Sequence, residues 1–387
     1  MYRGDLLRDG HPPTATLDTN SAGRLGLSWR AHLEGAVDGT PAVSGGMVIA
    51  GSAGGDLVAL EAGTGIPVWS KHGLGAIAGS PAIADGRVFV GTLTGRAYAL
   101  RLSDGTAIWT WRGPRDAALW ASPVAYMDEV ILGVASPYGD TPLVAGRLVA
   151  VDAVTGRERW NICVRPGCGA GDGVWSTPAI DAGGVAFVGV GNPDDGVLAF
   201  DALTGTRKWF RSLYSDAGRD LDVGATPVVF THRGREVIGL GSDGGIFAVF
   251  DASGVPAWSR EIVAGSAVHG LIASPASDGT NLYAGSASPP EGMFALNPSD
   301  GTTVWRYDTD QPVYSAPAVG KGVLIFGTGA VFGALDAGSI VVLSTASGDV
   351  LWSYDTHAAV RSGPALAGDL VVVGAYSGDV FAFRPRS

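Results

Sequence analysis

A tryptophan recurs along the chain at Trp29, Trp69, Trp109, Trp160, Trp209, Trp258, Trp305 and Trp352. All but the first follow a turn of one kind, as in ALEAGTGIPVW, AVDAVTGRERW and AFDALTGTRKW. A second landmark, a proline after a small residue, recurs at Pro41, Pro81, Pro123, Pro178, Pro227, Pro275, Pro317 and Pro364. Self-similarity of this kind marks one structural unit stacked on copies of itself. The stretch from Gly171 to Phe210 shows a whole copy, with the β-type runs TPAI, VAFVGV, GVLAFDA and RKWF. Val, Phe and Ala fill the runs, and Gly, Asn, Asp and Pro fill the gaps, which is the punctuation of tight antiparallel turns. A four-stranded unit of this composition has two apolar faces and cannot bury them alone.

The phase of the repeats fixes how the chain closes. RLGLSWR, from Arg24 to Arg30, is a closing strand with no unit before it, while the last unit, GPALAGDLVVVGAYSGDVFAF, has three strands and no closing Trp. Joining the two ends completes an eighth unit and leaves no long sheet edge exposed. The sequence therefore predicts an all-β fold, an eight-bladed β-propeller spanning residues 24–387, with residues 1–23 as a segment ahead of it. The blades are expected near 40–69, 80–109, 122–160, 176–209, 226–258, 274–305, 316–352 and 363–383. Sixty glycines and 22 prolines suit a fold made of turns, and 46% apolar residues exclude disorder. The recurring tryptophans are expected to pack between blades. The turn aspartates Asp152, Asp201 and Asp251 are expected to bond local backbone amides.

A formal net charge of −11, with Lys71, Lys208 and Lys321 as the only lysines, excludes a nucleic-acid surface, which needs clustered cations. No apolar run reaches the ~18 residues of a membrane span. The polar opening MYRGDLLRDGHPPT is no signal peptide; the expectation is a secreted, periplasmic or cell-envelope protein whose targeting segment is absent from this sequence. Cys163 and Cys168, in NICVRPGCGAG, fit either a small disulfide-closed loop or free thiols.

Function is sought where the copies disagree. In a propeller, loops entering each innermost strand and loops joining the second strand to the third emerge at one end. Three residues before each landmark proline stand Asp38, Ala78, Trp120, Trp175, Gly224, Ile272, Tyr314 and Arg361. Two tryptophans, a tyrosine, an arginine and an aspartate at one mouth describe either a pocket for a flat, polar-edged ligand or a plugged channel. The second-to-third-strand loops add Asp140, Asn192, Asp194, Asp195, Asp243 and Glu291. RDLD places Asp220 and Asp222 two apart, on one side of an extended segment.

The ALDAxTGxxxW-type repeat resembles the PQQ-like propellers, a superfamily that holds quinoprotein alcohol dehydrogenases and BamB-type outer-membrane assembly scaffolds. GVWSTPAIDAGGVAFVGVGNP is similar to the dehydrogenase blade in which a Trp is the stacking floor for the quinone and an Asn binds calcium. The resemblance gives these roles to Trp175 and Asn192, with Asp140 as a further calcium ligand. Trp120, Tyr314, Arg361 and Asp38 are the remaining cofactor-binding candidates. RDLD is similar to the acidic run that supplies the catalytic base, which implies Asp220 or Asp222. The short, haem-free chain looks most like the polyvinyl-alcohol-dehydrogenase branch. Three features depart from the pattern: the calcium-binding Glu is missing from ASPYGDTPLVAG, Asp243 stands where a quinone-contacting Lys or Arg is expected, and the adjacent Cys pair is replaced by Cys163 and Cys168. An acid in place of a cation removes an electrophilic assist and repels the cofactor's carboxylates.

Three functions follow as expectations. The first is oxidation of an alcohol or sugar-type substrate with PQQ and calcium, the electrons leaving to a separate acceptor because no CxxCH haem motif is present. The second is a non-catalytic assembly scaffold with a protein partner. The third is cofactor-free acid–base chemistry in the same pocket.

Overall fold

The structure is a computed structural model that describes residues 3–215 and 218–386. It contains eight four-stranded antiparallel sheets, in seven of which the strands lie in chain order. The eighth sheet orders Leu25–His32 beside Asp379–Pro385, then Leu370–Gly374 and Ala365–Ala367. Its register runs from Leu25 opposite Pro385 to His32 opposite Asp379, so the start of the propeller closes its end. The copy read from the sequence is the fourth blade, with strands Ala179–Ile180, Val185–Val190, Gly196–Asp201 and Arg207–Ser212.

Burial follows position in the blade. VAFVGV and GVLAFD are almost wholly buried, while the outermost RKWFRS is half-buried or exposed. The middle strands are covered on both faces by neighbouring blades, which is why they read as continuous apolar runs rather than alternating ones. One cluster joins Val124, Ile131, Leu148 and Ala150 of the third blade to Ile180, Ala186, Val188, Leu198 and Phe200 of the fourth.

The tryptophans lie between blades, as their recurrence requires. Trp69 Nε1 donates to the Leu102 carbonyl at 2.8 Å, Trp209 to Ala252 at 3.0 Å and Trp352 to Leu25 at 2.9 Å. Every indole but that of Trp352 lies against the turn glycine of the next blade. A Cβ on Gly254, at φ +80°, would stand 2.6 Å from the Trp209 ring, so only glycine satisfies both the left-handed turn and the contact. Trp160 differs, donating to Glu129 in its own blade at 3.2 Å. Asp152, Asp201 and Asp251 accept from turn amides two to four residues on.

The small residue before each landmark proline has a role that its size did not disclose. Ser80 Oγ accepts from the Thr40 amide at 2.8 Å, Ser122 Oγ from Ser80 at 2.9 Å, Thr177 Oγ1 from Ser122 at 3.0 Å and Thr226 Oγ1 from Thr177 at 3.1 Å. Ser274 Oγ continues the series from Thr226 at 3.0 Å. A belt of hydroxyls thus links six successive innermost strands around the channel, ending where the position becomes Ala316 and Gly363.

The residues ahead of the propeller form a strap across the other end of the channel. Ile180, Val229, Ser277 and Val319 amides donate to the carbonyls of Leu6, Leu7, Asp9 and Gly10, and the Lys321 amide to Leu17. The strap therefore crosses the innermost strands of the fourth to seventh blades in order, and the Thr16 amide reaches Gly368 in the eighth. Arg8 is fully buried, with Nε bonded to the Pro178 carbonyl at 3.2 Å, and Arg3 Nη1 bonds Ser274 at 2.9 Å. Asp18 caps the one short helix, Thr19–Ala22.

Candidate functional site

All eight residues at the varying ring position line a central channel of about 330 Å³. Four of them, Trp120, Trp175, Ile272 and Tyr314, also line a separate cleft of about 400 Å³ on the loop side. These four form the partition between cleft and channel. Asp38 and Arg361 line the channel and not the cleft. They hold each other at 2.7 Å, and the guanidinium also lies 4.6 Å from the centre of the Tyr376 ring. Burial raises the Asp38 carboxyl even so, against the pull of Arg361.

The cleft gathers every other residue singled out for cofactor, metal or proton chemistry. Asp140 and Asn192 come from second-to-third-strand loops, and Asp220 and Asp222 from the segment entering the fifth blade. Trp175 is fixed from two sides. Its Nε1 donates to Asp222 Oδ2 at 2.9 Å, and its ring occupies the space above Gly224, where a Cβ would come within 1.8 Å. The blank ring position at Gly224 is therefore the bed of its bulky neighbour. The Asn192 amide nitrogen donates to Asp222 Oδ1 at 2.7 Å, and its side chain donates to Asp220 Oδ1 at 2.5 Å. Asp140 and Asp220 sit at φ +50° and +58°, left-handed conformations that aspartate tolerates better than most residues.

Both oxygens of Asp222 thus accept hydrogen bonds, yet its carboxyl is raised, first by burial and then by the charges of Asp220 and Asp140. Asp243 is more extreme. It is 2% exposed, its amide donates to the Asp222 carbonyl at 3.0 Å, and its Oδ1 has no hydrogen-bond partner. Burial, with Asp222, Asp220 and Asp195, pushes its carboxyl well above the ordinary range. Tyr314 donates to the Val268 carbonyl at 2.7 Å, and burial raises its phenol to about 12.

The sequence reading missed the apolar lip. Tyr138, Leu143 and Phe332 line the cleft and are 73%, 46% and 54% exposed. Exposed aromatics in long second-to-third-strand loops were the available signal. Asp194 lies just outside the cleft lining, bound to Arg165 at 3.0 Å beside the buried Asp172. Cys163 and Cys168 are disulfide-bonded, with Cα atoms 5.2 Å apart. Among the described residues no three His, Cys, Asp or Glu side chains are grouped closely enough to hold a metal ion, and no helix is long and apolar enough to cross a membrane.

Known proteins resemble this architecture far more than this sequence. A europium-containing methanol dehydrogenase superposes with a TM-score of 0.85 at 16% identity, over 99% of this chain and 97% of its own. The quinohemoprotein alcohol dehydrogenase from Comamonas testosteroni gives 0.85 at 18% identity, over 99% and 80%. BamB from Moraxella catarrhalis gives 0.71 at 19% identity, over 93% and 97%. No curated protein matches the chain by sequence. The family model described as "Outer membrane protein assembly factor BamB" matches residues 22–165, 114–288 and 266–387. With the repeat matched from the closing strand to the last blade, the chain belongs to this family of PQQ-like eight-bladed propellers.

Proposed function

We propose that the protein is a small-molecule-binding propeller on the quinoprotein-dehydrogenase plan, with the loop-side cleft as its site. One observation carries the reading: the Trp175 ring fills the space beside Gly224 and is pinned to Asp222 at 2.9 Å, an aromatic wall set before any ligand arrives. The open apolar lip supports the same conclusion.

Alcohol or sugar oxidation with PQQ and calcium is the finer reading that the resemblance and the dehydrogenase neighbours suggest. PQQ is a flat polycarboxylate, and Trp175 suits its face. Its charge is another matter, because the cleft is lined by Asp140, Asp220, Asp222 and Asp243 and by no Lys, Arg or His. Asp243, whose buried Oδ1 has no partner, stands in the cleft wall where such a cofactor would need a cation. The residues present do not fit PQQ. What the chain offers is Asp220, exposed and bonded to Asn192, as a proton acceptor beside a stacked ligand, with the raised Asp222 behind it. The Cys163–Cys168 bond and the family's description support a location outside the cytoplasm.

The test is calorimetric titration with flat small molecules, PQQ with calcium among them, followed by dye-linked assay of alcohols. Trp175→Ala is expected to weaken whichever ligand binds by roughly 1–3 kcal/mol through lost stacking. A ligand bound equally well without the indole would refute the reading. If no small molecule binds, the family description favours the second reading, a scaffold that holds a protein partner.

A further inference from the structure

The charge and walls of the cleft define its ligand more narrowly than its shape does. Four carboxylates line it, with no cationic side chain among the lining residues. Arg361 at the channel wall and Arg165 are held by other carboxylates, Asp38 at 2.7 Å and Asp194 at 3.0 Å. Acidic side chains alone are unremarkable on a protein of net charge −11. Asp243 is different in kind, being buried, facing the cleft, and holding an oxygen that no protein group satisfies. A buried polar atom left without a partner is costly, and a donor that a ligand brings to this part of the wall relieves that cost. The remainder of the wall is apolar or aromatic, from Trp120, Trp175 and Tyr314 at the floor to Tyr138 and Phe332 at the lip. Faces of Trp and Tyr attract cations as well as flat apolar groups.

We propose that the cleft binds an organic cation, an amine or quaternary ammonium carrying an aromatic or compact apolar body, with its positive end toward Asp243 and Asp222 and its body on Trp175 and Trp120. The inference rests on the reading that this cleft is the binding site. Binding is coupled to protons. Burial, with the charges of Asp222, Asp220 and Asp195, favours the protonated form of Asp243, with the Tyr214 and Tyr314 hydroxyls also near it and His269 on the loop whose Ser266 amide bonds its carbonyl. A cation seated at its oxygen favours the carboxylate, so a proton leaves as the ligand enters.

The test uses four probes of similar shape on the intact chain: benzyltrimethylammonium, benzylamine, benzyl alcohol and benzoate. Both cations are expected to bind at least about tenfold tighter than benzyl alcohol, with benzoate weakest. Their binding heat is expected to vary with the ionisation heat of the buffer, which reports the released proton. Asp243→Asn, which keeps the shape and removes the charge, is expected to erase most of the preference and the buffer dependence; Trp175→Phe is expected to weaken all four probes together. Benzoate or benzyl alcohol binding as tightly as the cations, and lost in Trp175→Ala, would overturn the inference while leaving the cleft as the site. Binding of none of the four would overturn both. Calcium alone binding stoichiometrically and displacing benzylamine would also overturn it, assigning the charge to a metal ion.

Discussion

Gly224→Ala tests whether the empty ring position exists to house Trp175. The new Cβ would lie 1.8 Å from one indole carbon and 1.9 and 2.2 Å from two others. Ordinary contact begins near 3.4 Å, so the ring must shift by more than an ångström. That movement strains or breaks the 2.9 Å bond from Nε1 to Asp222. Overpacking costs about 1–3 kcal/mol and a lost bond to a charged group about 1.5–3; because the half-buried ring can tilt toward the open cleft, about 3 kcal/mol in total is expected. For a chain of 387 residues, an unfolding entropy of about 0.8 kcal/mol/K turns this into a melting-point loss of roughly 4 °C. Calorimetry of four proteins completes the cycle: wild type, Gly224→Ala, Trp175→Ala and the double variant. With the indole gone the alanine meets no ring, and its effect should shrink to about 0.5 kcal/mol or less. A full loss that persists in the Trp175→Ala background would show that Gly224 serves the backbone and not the indole.

Three further outcomes follow from the same structure. Thr177→Val removes the hydroxyl that accepts the buried Ser122 amide at 3.0 Å, and should lower the melting point by roughly 1–4 °C, whereas Thr177→Ser should restore it. Asp9 in the strap is raised from 3.8 to about 6, first by burial and then by Asp5. Because the folded state holds its proton more tightly, the contribution of Asp9 to stability is fully present below about pH 4 and is lost as pH rises to about 6. Asp9→Asn should remove up to about 3 kcal/mol of that fall, read as the unfolding midpoint across pH 4 to 7; an unchanged slope would place the titration elsewhere, with Asp172 the next group to test. Asp243 is also raised, so Asp243→Asn should gain stability relative to wild type as pH climbs above about 4. A variant less stable at pH 8 than at pH 5, by comparison with wild type, would contradict the burial argument.

The propeller was readable because each blade needs the same Trp, turn glycine and small residue before proline, and eight copies made the pattern visible over its variations. The ring position was readable for the opposite reason, since Asp38, Trp120, Trp175 and Arg361 differ where the scaffold does not. Their division between channel and cleft was not readable, because depth along the channel depends on how side chains fold over one another, as Trp175 does over Gly224. Asp243 was noticed as an acid in a cation's place, but its buried, unpaired oxygen depends on packing from three other segments. The hydroxyl belt escaped because Ser and Thr before proline read simply as small residues; its bonds run between blades some 40 to 55 residues apart.

The strap at the opposite end bears on how the ring of blades is held closed. It lies across the innermost strands of the fourth to eighth blades and sets two buried guanidiniums against carbonyls of the channel wall. These bonds tie the segment ahead of the propeller to the channel wall at the end away from the cleft. The lip of the cleft, with Tyr138 and Phe332, lies on the loop side, away from these bonds. The segment thus joins the fourth to eighth blades from the channel side, a second closure of the ring besides the sheet formed by its two ends.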